Sequence, residues 1–97
     1  MAKAYWITFY RSVSSASALA DYAKAAGPAI QAAGGRFLAR GGSAAAYEAG
    51  VNQRVALIEF ESLEKAIAGY ESDAYKAALK LLEGAAERDV RIVEGVG

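Results

Sequence analysis

Residues 4–10 read Ala-Tyr-Trp-Ile-Thr-Phe-Tyr. Aromatic and β-branched side chains crowd this stretch, and they favour a pleated surface, so a strand is predicted over Lys3–Tyr10. Successive side chains on a strand point to opposite faces. Tyr5, Ile7 and Phe9 therefore share one face, and Trp6, Thr8 and Tyr10 the other. Both faces are apolar, whereas a strand with one side in water alternates apolar and polar residues. Whatever this chain folds into must cover that strand from two sides.

The rest of the chain offers a partial cover. Arg11–Ser17 is a polar connector whose serines suit a helix N-cap. Leu19, Tyr22, Ala23, Ala26, Ile30 and Ala33 then recur at helical spacing. Pro28 is expected to kink or split that helix, and Gly34–Gly35 to end it. Arg36–Arg40 reads as a second strand, with Ser43–Tyr47 continuing it beyond a bulge at Gly41–Gly42. A loop over Glu48–Gln53 leads to a third strand, Arg54–Glu61, apolar on both faces at Val55–Ile58. Ser62 caps a helix carrying Leu63, Ala66, Ile67 and Tyr70, and Glu71-Ser72-Asp73 reads as a break and a fresh cap before a helical stretch carrying Ala74, Tyr75, Ala78, Leu79 and Leu82. The second of these is expected to end between Glu83 and Arg88, and Val90–Val96 forms the last strand.

The order is β-α-β-β-α-β over one domain, residues 1–97. It predicts an α+β fold: a ferredoxin-like antiparallel sheet with its helices on one face. The other face keeps roughly ten apolar side chains, whose burial is worth on the order of 15–30 kcal/mol gross. That exceeds the roughly 5–15 kcal/mol of net stability typical of a domain. A second copy laid sheet against sheet about a two-fold axis covers it, so the expected partner is the chain itself, in a dimeric α/β barrel.

Composition narrows the chemistry. Eleven basic and eleven acidic side chains cancel, so neither nucleic acid nor an anionic membrane is an expected partner. Cysteine and histidine are absent, which removes disulfides, thiol chemistry and the usual zinc ligands, and neither metal nor cofactor is expected. The N-terminal segment lacks the layout of a signal peptide and no stretch is apolar enough to span a bilayer, so the expected location is the cytoplasm.

Four residues stand out as candidate ligand contacts: Arg40, Glu59, Trp6 and Tyr70. The glycine pairs of GGRFLARGG follow a helix and enter a strand, the wrong order for a phosphate cradle, so they read as a cap and a bulge. Within that strand Arg36, Leu38 and Arg40 are expected on one face. A buried guanidinium needs a partner; Arg36 and Arg40 read first as strand-end residues that reach water, and the second reading pairs Arg40 with a carboxylate or a bound anion at the barrel mouth. Glu59 shares a face with Val55 and Leu57. It reads first as a salt bridge to an arginine on a neighbouring strand or subunit, second as a ligand anchor or proton acceptor, and last as simple exposure at the strand end. Trp6, Tyr10, Tyr70 and Tyr75 read as core first and as pocket wall second. Strand parity across the sheet leaves open whether Arg40 and Glu59 face the same side.

AYWI, GGRFLARGG, RVALIEFES, YESDAY and VRIVEGV, in this order and spacing, resemble the domain of unknown function 1330 family. The resemblance implies membership of the dimeric α/β-barrel, ferredoxin-like group and a homodimer, with no established activity. The chain departs from the family pattern at Gly50 and Asn52, near a usual tryptophan and proline. It departs again at Gly69, where a tryptophan often precedes the tyrosine, and at Glu61, a common proline. Any pocket those tryptophans line in relatives has a different shape here. The expected function is that of a small homodimer binding a small anionic or aromatic molecule near the sheet. The alternative is a non-catalytic structural homodimer without a ligand, its polar residues setting subunit register. Whether the chain is an enzyme is left open.

Overall fold

β1 (Ala4–Val13) sits inside the sheet, hydrogen-bonded on one side to β3 (Arg54–Phe60) and on the other to β4 (Ala86–Glu94). β2 (Arg36–Gly42) pairs with the far side of β3. All pairings are antiparallel and the order is β2-β3-β1-β4, so the strand with two apolar faces has the most sheltered place. This computed structural model describes residues 2–97; Met1, counted in the expected domain, lies outside the described residues.

Three helices cover one face: α1 (Ala16–Ala32), α2 (Leu63–Glu71) and α3 (Asp73–Lys80). Each starts at a serine whose hydroxyl oxygen accepts a bond from a backbone N–H at 3.2 Å: Ser15 from Ala18, Ser62 from Lys65, Ser72 from Tyr75. Such caps satisfy donors that the first helical turn leaves free. α1 does not split at Pro28. Pro28 is exposed, as is Lys24, so the carbonyl that loses its partner at position 24 is on the solvent side.

The helix-facing side of the sheet carries Ala4, Trp6, Thr8 and Tyr10 from β1 with Ile58 and Phe60 from β3, all buried. Trp6, Phe60 and Ile58 from the sheet and Tyr75 from α3 are among the largest fully buried side chains of the core. The first glycine pair has two separate jobs. Gly34 turns the chain out of α1 at φ 98°, a conformation that suits glycine. Gly35 permits a close approach, since a Cβ there would lie 2.6 Å from Ile30 Cγ2 and 2.8 Å from Phe60 Cζ.

Three expectations about the strands need correction. The bulge lies between Phe37 and Ala39, at Leu38, and not at Gly41–Gly42. Ser43–Tyr47 does not extend β2; the Ser43 N–H and hydroxyl both donate to the Gln53 carbonyl, at 3.1 and 2.6 Å, and pinch residues 43–53 into a loop. α3 stops at Lys80, and β4 starts at Ala86 rather than Val90.

The opposite face has no helix. It presents Tyr5, Ile7 and Phe9 from β1, with Val55 and Leu57 opposite them on β3 and Val93 on β4. Phe9 on the inner strand β1 is 42% exposed, and Leu38 and Val93 on the edge strands β2 and β4 are 43 and 51% exposed. The molecule is a slab of 38 × 33 × 16 Å, two layers thick and bare on one side.

Candidate functional site

The bulge decides what the site can be. Opposite residues of paired strands share a face, and an extra residue reverses the alternation beyond it. Arg36 is opposite Glu59, on the bare face; Phe37 is opposite Ile58, on the helix face. With Leu38 inserted, Ala39 falls opposite Leu57 and Arg40 opposite Ala56, so Arg40 joins Phe37 under the helices. Its guanidinium lies 4.2 Å from the centre of the Phe37 ring, a cation–π contact. Arg36 and Arg40 thus occupy opposite faces, and so do Arg40 and Glu59.

Glu59 is held on the bare face by charge. Its Oε1 lies 3.2 Å from Arg36 and 3.3 Å from Lys3, and the Tyr5 hydroxyl donates to Oε2 at 3.5 Å. A second cluster there joins Asp89 to Arg91 at 2.9 Å and to Arg11 at 3.6 Å. Tyr70 belongs to the aromatic cluster, its ring 5.2 Å from that of Trp6 and 5.1 Å from that of Tyr75. Of the four residues singled out, Trp6 and Arg40 reach a common cavity, while Glu59 and Tyr70 do not line it.

That cavity lies between the sheet and α1 and measures about 30 Å³, room for one or two water-sized molecules. Its aromatic wall is Trp6, Tyr10, Tyr22 and Phe37, and its aliphatic wall includes Leu19, Ala26, Ile30 and Ile58. Three arginines line it as well: Arg40, Arg54 and Arg88. No acidic residue is among its lining residues.

Arg88 is the residue that the sequence pattern hid. It is half-buried, and its Nη1 and Nη2 donate to the hydroxyls of Tyr22 at 3.1 Å and Tyr75 at 3.2 Å. Among the described residues no carboxylate lies within salt-bridge distance of Arg88, Arg40 or Arg54. The two hydroxyls are 2.6 Å apart and share one proton donation. Tyr75 is fully buried and does not line the cavity, whereas Tyr22 does. A buried donor left without an acceptor is costly, so the favoured arrangement has Tyr75 donating to Tyr22. The Tyr22 proton is then free to point into the cavity.

Burial, and then the neighbouring Tyr75 oxygen, push the Tyr22 phenol well above the ordinary range; burial likewise raises Tyr75 and Tyr10. All three are neutral donors near pH 7. A folded-state value raised above that of the unfolded chain gives stability that is complete below about pH 10 and lost as pH climbs further. Alkaline unfolding is therefore expected to begin above pH 10. Tyrosinate absorbance should rise together with loss of helical circular dichroism, and three phenols that ionise at pH 10 in folded protein would contradict it.

The Trp6 indole N–H donates to the Thr8 hydroxyl at 2.9 Å, so the indole donor is satisfied within the protein, while Thr8 keeps its own O–H to donate. With no carboxylate or histidine on its walls, the cavity can polarise or hold a negative group but offers no strong proton acceptor. Among the described residues there is also no acidic cluster suited to a metal ion, and no helix is long and apolar enough to cross a membrane.

The fold recurs in solved structures. A protein of unknown function from Rhodopseudomonas palustris superposes with a TM-score of 0.74 at 16% identity, over 99% of this chain and 84% of that one. A dimeric ferredoxin-like protein of unknown function from Thermobifida fusca gives 0.68 at 14%, over 95% and 90%. A dimeric protein of unknown function with a ferredoxin-like fold from Bacteroides fragilis gives 0.51 at 14%, over 96% and 94%. No curated protein matches the chain. At these identities the neighbours establish the ferredoxin-like fold, in agreement with the β2-β3-β1-β4 order. The model of the domain of unknown function DUF1330 matches residues 3–96, nearly the whole length, and the chain belongs to that family.

Proposed function

We propose that the chain is a cytoplasmic homodimer, joined through its bare sheet faces, in which each subunit binds a small anionic molecule between sheet and α1. The observation carrying the ligand reading is Arg88: a half-buried guanidinium bonded to two phenols and to no carboxylate, with Arg40 and Arg54 lining the same cavity. Arg88 and Arg54 are half-buried and Arg40 is exposed, and a half-buried cation without a counter-ion favours an anion. The dimer reading draws on the exposed Phe9, Leu38 and Val93, and on two structural neighbours described as dimeric. A slab face of 38 × 33 Å is broad enough for the roughly 800 Å² per partner of a stable interface.

Binding is favoured over acid–base catalysis, because Glu59, the candidate proton acceptor, lies across the sheet from the cavity. The small volume favours a second reading, a structural homodimer with no ligand and with Glu59 and Asp89 setting register. Thermal unfolding in a series of small organic and inorganic anions separates the two. An anion present at about 100 times its dissociation constant adds about 2.7 kcal/mol, which for a domain this size raises Tm by roughly 10 °C or more. Arg88→Met should abolish that response while leaving the ligand-free protein within about 1 kcal/mol of wild type, since an apolar side chain of similar volume replaces an uncompensated charge. No anion-specific shift, or equal shifts in wild type and Arg88→Met, would favour the structural reading.

A further inference from the structure

Resting on the dimer reading, we infer that the loop between β2 and β3, residues 43–53, is a clasp for the second copy, and that the partner chain fills the cleft this loop makes with the bare sheet face. The loop has the composition of an interface. Residues 44–53 are all exposed, yet Ala44–Tyr47 is a run of four apolar residues, Ala49 and Val51 follow, and Glu48 is the one charge. Exposed apolar runs of that length mark a functional surface. Tyr47 is 79% and Val51 47% exposed.

The loop is also built to hold a shape. Beyond the pinch between Ser43 and Gln53, the Gly50 N–H donates to the Tyr47 carbonyl and the Gln53 N–H to the Val51 carbonyl, both at 2.8 Å. Inside the first of these turns Glu48 has a φ of 54°, the one positive value at a residue other than glycine among the described residues. Such strain in a non-glycine residue gathers where a loop has work to do. A segment shaped before pairing also loses less freedom on pairing.

The cleft joins the loop to the apolar face. Tyr47, Ala49 and Val51 line it together with Phe9, Val55 and Asp89 of that face, and its volume is about 360 Å³. Arg11 and Asp89, the charged residues of the lining, pair with each other at 3.6 Å, so the rest of the wall is mainly apolar. Surface area measures the cover that is missing. The chain exposes 6111 Å², against about 5,300 Å² for a folded monomer of 10.1 kDa. The excess of about 800 Å² matches what each partner buries in a standard interface. A second copy is therefore the occupant that fits, and Tyr47, of a residue type common among interface anchors, is its main contact on the loop.

The chain has no cysteine, so Ala49→Cys places a single thiol in the cleft. Its alkylation by iodoacetamide is followed under reducing conditions, at a concentration where sedimentation shows nine-tenths of the chain paired and again after dilution to monomer. Labelling of the paired form is expected to be about tenfold slower, because it proceeds through the unpaired fraction. Tyr47→Ala, with unchanged circular dichroism, is expected to weaken pairing about 30-fold, the loss of one interface anchor. Equal labelling in dimer and monomer would overturn the clasp while the sheet-face dimer stands, and would leave the cleft open to a small molecule. Protection of the thiol with Tyr47→Ala pairing as tightly as wild type would overturn Tyr47 as the anchor. A wild-type chain that sediments only as monomer would overturn the dimer and the clasp together.

Discussion

Replacing Trp6 with alanine is expected to destabilise the domain by about 3–5 kcal/mol, the usual range for truncating a buried tryptophan. Trp6 is 1% exposed. Its ring stacks on Phe60 with centroids 6.2 Å apart and planes 8° apart, and meets Tyr75 edge-on at 4.7 Å. Losing the ring opens a void that surrounding β-strand backbone cannot collapse into. The loss also strips the Thr8 hydroxyl, 2% exposed, of its donor, adding about 1–3 kcal/mol if water cannot replace it. Against a total of about 5–15 kcal/mol, Trp6→Ala stands near the limit of folding. Urea denaturation followed by circular dichroism measures the change, with Trp6→Phe expected to recover more than half of it. A loss under about 1 kcal/mol would mean that the aromatic cluster is not the fold's centre.

Leu57→Asp is expected to convert the proposed dimer into a folded monomer. Leu57 lies in the middle of the bare face, with Ile7 opposite on β1 and Ala39 opposite on β2. In the isolated chain its side is open to water, so the carboxylate has little reason to unfold it. Across a two-fold interface the substitution occurs twice and buries two like charges in an apolar setting, at several kcal/mol in total. A penalty of about 4 kcal/mol weakens association roughly a thousandfold. Sedimentation at micromolar concentration should give a dimer for wild type and a monomer with unchanged circular dichroism for the variant. Wild type sedimenting as a monomer, or Leu57→Asp as a dimer, would remove this face from the assembly.

Much of the architecture was legible because it follows from strong local signals. Tyr5–Tyr10 has no polar face, three serines stand at N-cap positions, and Gly34 follows the last turn of α1. The candidate site was less legible, and one residue explains why. Without a bulge, Arg40 shares a face with Arg36; with Leu38 inserted, it turns to the opposite side. Nothing in Arg-Phe-Leu-Ala-Arg marks a bulge, which is set by how β2 meets β3 and not by local preference. Arg88 escaped for a related reason. A strand begun at Val90 leaves it outside, whereas one begun at Ala86 places it in phase with Val90 and Ile92, facing the helices. An arginine in step with two aliphatic residues was the available clue. Tyr22 stood in the apolar stripe of α1 from the start, but its role depends on Arg88.

In the proposed dimer the two sides of the sheet would do unrelated jobs, with a consequence for the assembled form. Cavities under α1 would lie on the outer flanks of a paired structure, with both β layers between them. Occupancy of one has no direct path to the other, so saturation should be hyperbolic, and a chain unable to pair should bind as tightly as one that does.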